Sequence, residues 1–281
     1  MIDFDQKIRD YYGTLESRWG YTFVTWDAKH FGYYPDKIAN ISEREALQLH
    51  QDLIAQNLAL KPKQLILDAG CGRGVTACFI AGKYNVTVIG VDLLDFEIDN
   101  ARDRARRSGV ADKTKFEVMD FAALRFPEGY FDAVYTSETL SHAPNVPKVL
   151  GQFHKILKPG GRLVLMEYTL APDEVFSSEE MRSMDFIIQG SAMFGLKTFR
   201  HDQFPEILRF AGFEQVHQEN ITENFFPSLH RLYLKSKWMY SAVRLLGLER
   251  WFFNTEVPTK LLPLVRKDLF RYCLFTGIKP G

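Results

Sequence analysis

Between residues 64 and 166, short apolar runs alternate with segments of helical periodicity, and this alternation constrains the fold more than any other feature of the chain. The apolar runs, which we predict to be strands, lie at 65–67, 86–91, 116–118, 131–135 and 162–166. The predicted helices between them lie at 75–82, 95–108 and 146–157. Because apolar strands of this kind are typical of sheets covered on both faces, we predict an α/β fold with a doubly wound, mostly parallel sheet.

Aromatic and helical segments flank this alternating region. Nine of the 24 residues from Tyr11 to Tyr34 are aromatic. Ser42 and Glu45 then form a capping-box pattern, which predicts a helix ending near Leu58. The predicted units are an N-terminal aromatic helical cap at 1–60 and a second unit at 61–281 with helical inserts at about 176–200 and 223–268.

Charge and cysteine content argue against several classes of protein. Lys and Arg together number 35 among 281 residues, as do Asp and Glu, so the formal net charge is zero and binding to nucleic acid through an overall positive field is not expected. Three cysteines without C-x-x-C spacing predict neither a disulfide framework nor a zinc site. The polar first twelve residues do not resemble a signal peptide, and no apolar run is long enough to span a membrane, so we expect a cytoplasmic protein.

The segment from residue 65 to 74, LILDAGCGRG, carries the strongest functional signal. An apolar strand leads into glycines at alternate positions, Gly70, Gly72 and Gly74, and a helix follows. Such a loop lets the backbone approach a ligand at a helix N-terminus. Asp68 precedes the glycines, and Asp92 ends the next predicted strand 20 residues after Gly72, where a carboxylate can accept hydrogen bonds from ribose hydroxyls. The spacing differs from the G-x-G-x-x-G fingerprint of dinucleotide-binding proteins.

At these residues, and at the LKPGG sequence of 157–161, the chain resembles the class I S-adenosylmethionine-dependent methyltransferases. The resemblance extends over about residues 62–170 and implies a Rossmann-like sheet of seven mostly parallel strands in a methyltransferase domain. It implies S-adenosyl-L-methionine as the cofactor and no resident metal. The cofactor-binding residues that it implies are Asp68, Gly70, Cys71, Gly72, Gly74, Asp92, Leu93, Asp120 and Phe121.

Three further segments resemble the sterol C-methyltransferases, which methylate the sterol side chain, and their tocopherol and prenyl relatives. They are the aromatic WGYTF run at 19–23, the SETLSHAP run at 137–144 and the MEY run at 166–168. The sequence departs from that group at Asp92, where sterol enzymes commonly carry asparagine, and in the region after residue 223. The resemblance implies methyl transfer to an alkene carbon of a hydrophobic isoprenoid, of the sterol side-chain or prenyl diphosphate type.

The chemistry of alkene methylation fits residue types found in this sequence. Attack of an alkene on a sulfonium methyl group leaves a carbocation, which aromatic rings can stabilise and a positioned base must deprotonate. We expect Glu167 to be that base, with Glu138 and His142 as alternatives and Tyr168 at the same edge of the sheet. The residues expected to bind the acceptor are Tyr12, Trp19, Tyr21, Trp26, Met193 and Arg200.

The sequence also supports other interpretations. O- or N-methylation of a phenol or amine would use His142 or Glu167 as the base, and a non-catalytic S-adenosylmethionine-binding protein would need neither. From residue 223 to 281, ten basic residues stand against four acidic ones, which suits either a diphosphate acceptor held with Mg²⁺ or a peripheral contact with a membrane. Further candidates for holding the diphosphate lie before this region and are Arg182, Lys197, Arg200 and His201. The residues expected at a membrane are Trp238, Trp251, Phe252 and Phe253. The sequence predicts no oligomeric state.

Overall fold

A seven-stranded sheet forms the centre of the computed structural model, which describes residues 4–14, 16–17, 27–245, 247 and 252–281. The strands are β1 (Leu65–Ala69), β2 (Thr87–Asp92), β3 (Thr114–Val118), β4 (Phe131–Ser137), β5 (Leu157–Leu170), β6 (Glu214–Asn220) and β7 (Phe270–Ile278). Their order across the sheet is β3-β2-β1-β4-β5-β7-β6, and β7 runs antiparallel to both of its neighbours. The predicted α/β fold with a doubly wound, mostly parallel sheet is confirmed.

Helices connect and cover these strands. They are α1 (Phe4–Gly13), α2 (Glu43–Asn57), α3 (Val75–Tyr84), α4 (Asp95–Arg107), α5 (Val146–Ile156), α6 (Ser178–Gly190), α7 (Phe204–Phe210), α8 (Thr222–Leu245) and α9 (Phe253–Arg266). Helices α3, α4 and α5 follow the ends of β1, β2 and β4, so the loops that join them lie along one edge of the sheet. Ligands bind at this carboxyl edge in open α/β sheets.

Three predicted segments differ in detail from the structure. The insert at 176–200 forms α6 followed by a 3-10 turn at Phe194–Thr198, and the insert at 223–268 forms the two helices α8 and α9. The Pro-Gly-Gly sequence at 159–161, between the predicted helix at 146–157 and the predicted strand at 162–166, lies inside β5, where the pairing with β4 shifts register. Gly160 has a φ of +74° there, so the strand accommodates the turn sequence as a local irregularity.

Helix α2 packs on the same hydrophobic core as the sheet. Ile54 and Ala55 on its inner face belong to one buried apolar cluster with Leu67 of β1 and Val134 of β4. The helix begins as the capping pattern predicts, because the Ser42 hydroxyl accepts a hydrogen bond from the third backbone N–H of the helix at 3.2 Å. Phe31, which precedes α2, reaches the carboxyl edge of the strands, where its backbone N–H donates to Glu138 at 3.0 Å.

Candidate active site

Three glycines shape the loop between β1 and α3. Gly70, Gly72 and Gly74 have φ values of +85°, +48° and +67°, which is the left-handed region that favours glycine. A Cβ atom on Gly70 would lie 2.0 Å from Cγ2 of Thr139, and one on Gly74 would lie 2.9 Å from Cβ of Ala101. The loop therefore requires glycine both for its conformation and for its close packing against neighbouring segments.

Two carboxylates border this loop. Asp92, at the end of β2, accepts hydrogen bonds from the backbone N–H groups of Gly72 (2.9 Å) and Leu94 (3.0 Å). Asp68, in β1, accepts one from the Tyr135 hydroxyl at 2.7 Å. Burial raises the pKa of Asp68 to about 7 and also raises the pKa of Asp92. A positively charged ligand beside them would favour their ionised forms.

A cleft of about 1080 Å³, including its open mouth, lies above the loop at the carboxyl edge of the strands. Its wall contains eight of the nine residues predicted to bind the cofactor, namely Asp68, Gly70, Cys71, Gly72, Asp92, Leu93, Asp120 and Phe121. The ninth, Gly74, is not on the wall and lies at the start of α3. The residues predicted from the glycine motif and its distant acids thus come together around one space.

Glu138 lies on the wall of the cleft directly after β4. Its carboxylate accepts hydrogen bonds from the Phe31 backbone N–H at 3.0 Å, from the Tyr272 hydroxyl at 2.9 Å and from the Tyr168 hydroxyl. Burial raises the pKa of Glu138 to about 7, although these three donors oppose the shift. Glu138 is therefore a carboxyl group that titrates near neutral pH, as a general base requires. Tyr168 does not line the cleft and reaches the site through this hydrogen bond.

Glu167 is fully buried and does not line the cleft. Its Oε1 accepts hydrogen bonds from the backbone N–H groups of Thr139 (2.8 Å) and Leu140 (2.5 Å). Burial raises the pKa of Glu167 to about 8. The predicted strand ends at residue 166, whereas β5 continues to Leu170 because its pairing with β7 extends that far. Glu167 therefore lies within the strand, below the turn that carries Glu138.

His142 and Tyr12 form a hydrogen-bonded pair on the cleft wall. Nε2 of His142 lies 3.1 Å from the Tyr12 hydroxyl, and Nδ1 lies 3.1 Å from the Ala192 carbonyl oxygen. Since a carbonyl can only accept, Nδ1 carries the proton and Nε2 accepts from the tyrosine hydroxyl. Burial lowers the pKa of His142 to about 4 and raises that of Tyr12 well above its usual value. Both groups are neutral near pH 7.

Of the other predicted acceptor residues, the two that the structure describes do not line the cleft. The other three lie outside the described residues, namely Trp19, Tyr21 and Trp26. Met193 is buried away from the wall, and Arg200 donates hydrogen bonds to the Ala171 carbonyl (2.9 Å) and to Asp173 (2.8 Å). The remaining cations considered for a diphosphate are also absent from the wall, namely Arg182, Lys197 and His201.

A buried ion-pair network beside the cleft was not anticipated from the sequence. Glu97 in α4 pairs with Nζ of Lys29 at 2.8 Å and with Nε of Arg73 at 3.2 Å. Asp27 pairs with Arg73 and, at 2.6 Å, with Arg104. The network fastens the segment that starts at residue 27 to the glycine loop. Arg73 stands inside the glycine motif, and its charge there is the sequence signal that could have indicated the network.

His30 and Tyr272 were likewise not anticipated from the sequence. His30 lines the cleft and stacks on His50 with ring centroids 4.1 Å apart. Its Nδ1 donates to the Phe31 carbonyl at 3.0 Å, while its buried Nε2 has no hydrogen-bond partner within the described parts of the protein. Tyr272 reaches Glu138 from 134 residues away, so no local pattern could have assigned it.

Acidic side chains outnumber basic ones on the wall that the described residues form. The acidic residues there are Asp5, Asp27, Asp68, Asp92, Asp120 and Glu138, and the basic residues are Lys29 and Arg73. Both cations are engaged in the ion-pair network. Asp27 belongs to the same network, so five of the six acidic residues of the wall lie outside it. Within the described ranges, no group of three His, Cys, Asp or Glu side chains has the arrangement of a metal site.

The strand order, the glycine loop after β1 and the acid at the end of β2 define a class I methyltransferase fold with its nucleoside-binding cleft. Residues 66–161 match a family model described as a methyltransferase domain. The protein is also 33% identical over 281 residues to an S-adenosyl-L-methionine-dependent Diels-Alderase of Talaromyces variabilis, with 98% of this chain and 95% of that protein covered. The chain belongs to the S-adenosylmethionine-dependent methyltransferase family.

Other relatives agree with this assignment. A 27-O-demethylrifamycin SV methyltransferase of Amycolatopsis mediterranei is 30% identical over 273 residues, covering 95% of this chain and 93% of that enzyme. A 24-methylenesterol C-methyltransferase of Oryza sativa is 29% identical over 197 residues, which cover 70% of this chain and 51% of that enzyme. The cyclopropane synthase MmaA2 of Mycobacterium tuberculosis has the same fold, with a TM-score of 0.85 at 18% identity and 99% coverage of both chains. The predicted resemblance to this enzyme family, sterol C-methyltransferases included, is confirmed.

Proposed function

We propose that this enzyme transfers a methyl group from S-adenosyl-L-methionine to an alkene carbon of an uncharged isoprenoid, and that Glu138 removes the proton that completes the reaction. The observation that carries the proposal is the position of Glu138. Its carboxyl group lies on the wall of an acidic cleft, is held by three hydrogen-bond donors and has a pKa raised by burial to about 7.

The residues of the cleft suit the cofactor. The Asp92 carboxylate would accept hydrogen bonds from the ribose hydroxyls, and Asp120 would lie near the adenine amino group. The glycine loop would lie against the methionine portion, where its lack of side chains leaves room. When bound, S-adenosyl-L-methionine supplies an electrophilic methyl group on a positively charged sulfur, and the acidic wall favours that charge.

The reaction leaves a positive charge on the acceptor, so it needs a base to remove a proton, and we assign that role to Glu138. The alkene electron pair forms a bond to the methyl carbon, the carbon–sulfur bond breaks, and its electron pair stays on sulfur. A carbocation is left on the acceptor, and loss of a neighbouring proton to the Glu138 carboxylate restores an alkene. A carboxylate also stabilises a nearby cation before it takes the proton. Tyr168 and Tyr272 orient Glu138 through their hydroxyl groups.

The charge of the cleft supports an uncharged acceptor. A diphosphate would face the acidic wall, where the two basic residues among those described, Lys29 and Arg73, are already paired with carboxylates. One relative is named as a methylenesterol C-methyltransferase, and this name is consistent with methylation of a carbon of a neutral isoprenoid. We therefore propose the sterol side-chain type of acceptor rather than the prenyl diphosphate type.

Methyl transfer from ¹³C-methyl-labelled cofactor tests the proposal. The acceptors are a sterol with an alkene in its side chain, the same sterol with a saturated side chain, and a simple phenol. We expect label on a carbon of the unsaturated sterol and none on its saturated counterpart, as located by NMR of the product. Label on oxygen, or equal labelling of both sterols, would overturn the alkene mechanism.

A second candidate is O-methylation of a hydroxyl group, which the pairing of His142 with Tyr12 favours. Oxygen attack on the methyl group makes the O–H bond strongly acidic, so even a weak base such as His142, with its pKa of about 4, could accept the proton. The relative from Amycolatopsis is named as a methyltransferase of an O-demethylated compound. Under this alternative, His142→Ala strongly reduces labelling of a hydroxyl acceptor, whereas under the alkene mechanism Glu138→Gln strongly reduces labelling of the unsaturated sterol.

A further inference from the structure

The second half of helix α8 carries a row of exposed apolar side chains. Leu234, Trp238 and Leu245 are 47%, 79% and 87% exposed. At 3.6 residues per turn these positions lie on one face of the helix. Leu229 and Ser236 are buried on the opposite face, which packs on the protein. The row, which we call the α8 face, is therefore an apolar surface that the fold leaves open.

Basic side chains flank the α8 face on both sides. By helical spacing, Lys235 lies on one flank, and Lys237 and Arg244 lie on the other; all three are exposed. The sequence contains no Asp or Glu from residue 224 to 248. The adjacent helix α9 contributes one acidic residue, Glu256, and its carboxylate is paired with Lys260 at 3.1 Å. The charged side chains on this half of α8 are thus all basic.

We propose that the α8 face docks on the surface of an anionic phospholipid membrane. The apolar side chains would enter the boundary between headgroups and acyl chains, while the flanking cations contact the lipid phosphates. A second copy of the protein suits this surface less well, because a symmetric contact would bring the three cations of both copies together. No helix in the described residues is long and apolar enough to cross a bilayer, so the contact would be peripheral.

This surface refines the membrane contact expected from the sequence. Of the residues named for it, Trp251 lies outside the described residues, and Phe252 and Phe253 are only partly exposed. Trp238 alone of that group is a largely exposed ring within the described part of the protein. Docking would place the enzyme where hydrophobic substrates partition, yet it is independent of which acceptor the enzyme methylates.

Co-sedimentation of the full-length protein with vesicles tests the proposal. The probes are vesicles of phosphatidylcholine alone and of phosphatidylcholine with about one third phosphatidylglycerol, at low and at physiological salt. We expect binding to the anionic vesicles that weakens with salt. The double variant Trp238→Ser, Leu245→Ser should lose this binding, and each of Lys235→Gln, Lys237→Gln and Arg244→Gln should weaken it about fivefold.

A matched control comes from another exposed aromatic residue. Phe210, 91% exposed at the end of α7, lies outside the α8 face, and Phe210→Ser should bind vesicles as the wild type does. Melting temperature and S-adenosyl-L-methionine binding confirm that each variant is folded. The proposal is overturned if the wild type binds neither vesicle, or if Phe210→Ser loses as much binding as the α8 variants. A wild-type dimer that Trp238→Ser converts to a monomer would also overturn it, by assigning the face to a second copy.

Discussion

The carboxyl groups of Glu138 and Glu167 are held by different hydrogen-bond donors, and we propose a different role for each. Glu138 accepts hydrogen bonds from three groups that come from distant parts of the sequence, and it borders the cleft. Glu167 accepts hydrogen bonds from two backbone N–H groups and lies below the cleft wall. We propose that Glu138 accepts the proton. Glu167, through its bonds to Thr139 and Leu140, would position the turn that carries Glu138.

Replacement of Glu138 tests the first of these roles. Glu138→Gln removes the base while nearly preserving its shape, so methyl transfer should fall by about 10²–10⁴-fold with unchanged binding of S-adenosyl-L-methionine. In the wild type, kcat/KM should fall as the pH drops below about 7, because the base must be deprotonated and its pKa is about 7. A pH–rate profile of purified enzyme measures this, and a flat profile between pH 5 and 8 would contradict it.

Two replacements of Glu167 test its positioning role. Glu167→Gln keeps an oxygen that can accept from Thr139 and Leu140, so methyl transfer should persist. Glu167→Leu leaves the buried N–H of Leu140 and the half-buried N–H of Thr139 unpaired and should cost about 1–4 kcal/mol of unfolding free energy, measured with urea. If Glu167 were instead the base, Glu167→Gln would lose as much activity as Glu138→Gln.

The pH dependence of stability gives an independent readout for Glu167. Burial raises its pKa to about 8, above the value of about 4.3 in an unfolded protein. The protonated form therefore stabilises the native state at low pH, and this contribution is lost as the pH rises from about 4 through 8. Between pH 5 and 8 the melting temperature of the wild type should fall relative to that of Glu167→Gln. Parallel curves would show that Glu167 does not titrate in this way.

At the scale of secondary-structure elements, buried ion pairs join α4 and the glycine loop to the segment that starts at residue 27. Glu97 stands in the first turn of α4, its side chain is 1% exposed, and it meets Lys29 and Arg73. Asp99, two residues later, pairs with Arg102 on the exposed surface of the same helix. One helix thus offers a buried pair and an exposed pair for direct comparison.

The two pairs should differ sharply in their contribution to stability. Glu97→Ala removes a buried carboxylate that pairs with both Lys29 and Arg73, although Arg73 keeps Asp27, and should lower the unfolding free energy by about 3–5 kcal/mol. Asp99→Ala removes an exposed pair and should change it by about 0–1 kcal/mol. Urea unfolding of both variants measures the difference. Equal effects would mean that the network does not hold the loop against α4.

At the scale of the whole molecule, the sheet edge and the segments that cover it together form the candidate cofactor cleft. Asp92 ends a strand, Tyr12 belongs to α1 and Glu138 follows another strand, yet all three line one space. A ligand that binds this space therefore stabilises the folded arrangement of all these elements, and not one loop alone.

Thermal unfolding measures this coupling. S-adenosyl-L-methionine at about 100 times its Kd should stabilise the native state by about 2.7 kcal/mol, a rise in melting temperature of about 4–6 °C for a protein of this size. NAD should give no shift. Asp92→Ala should reduce the shift, and the matched surface variant Asp99→Ala should keep it. A shift with NAD equal to that with S-adenosyl-L-methionine would contradict this assignment of the cleft.

The sequence by itself determined the features that depend on local order along the backbone. Alternating apolar runs and helices predicted the strands and helices of the sheet, because the burial pattern of each element lies in its own residues. The spacing of Gly70, Gly72 and Asp92 predicted that these residues lie around one cleft, because the loop and the next strand follow each other closely along the chain. The tertiary structure decided how the acids are used. Pairing with β7 extends β5 past residue 166, which buries Glu167 and brings Tyr272 to Glu138. Such contacts depend on segments more than a hundred residues apart, and no local pattern of residues encodes them.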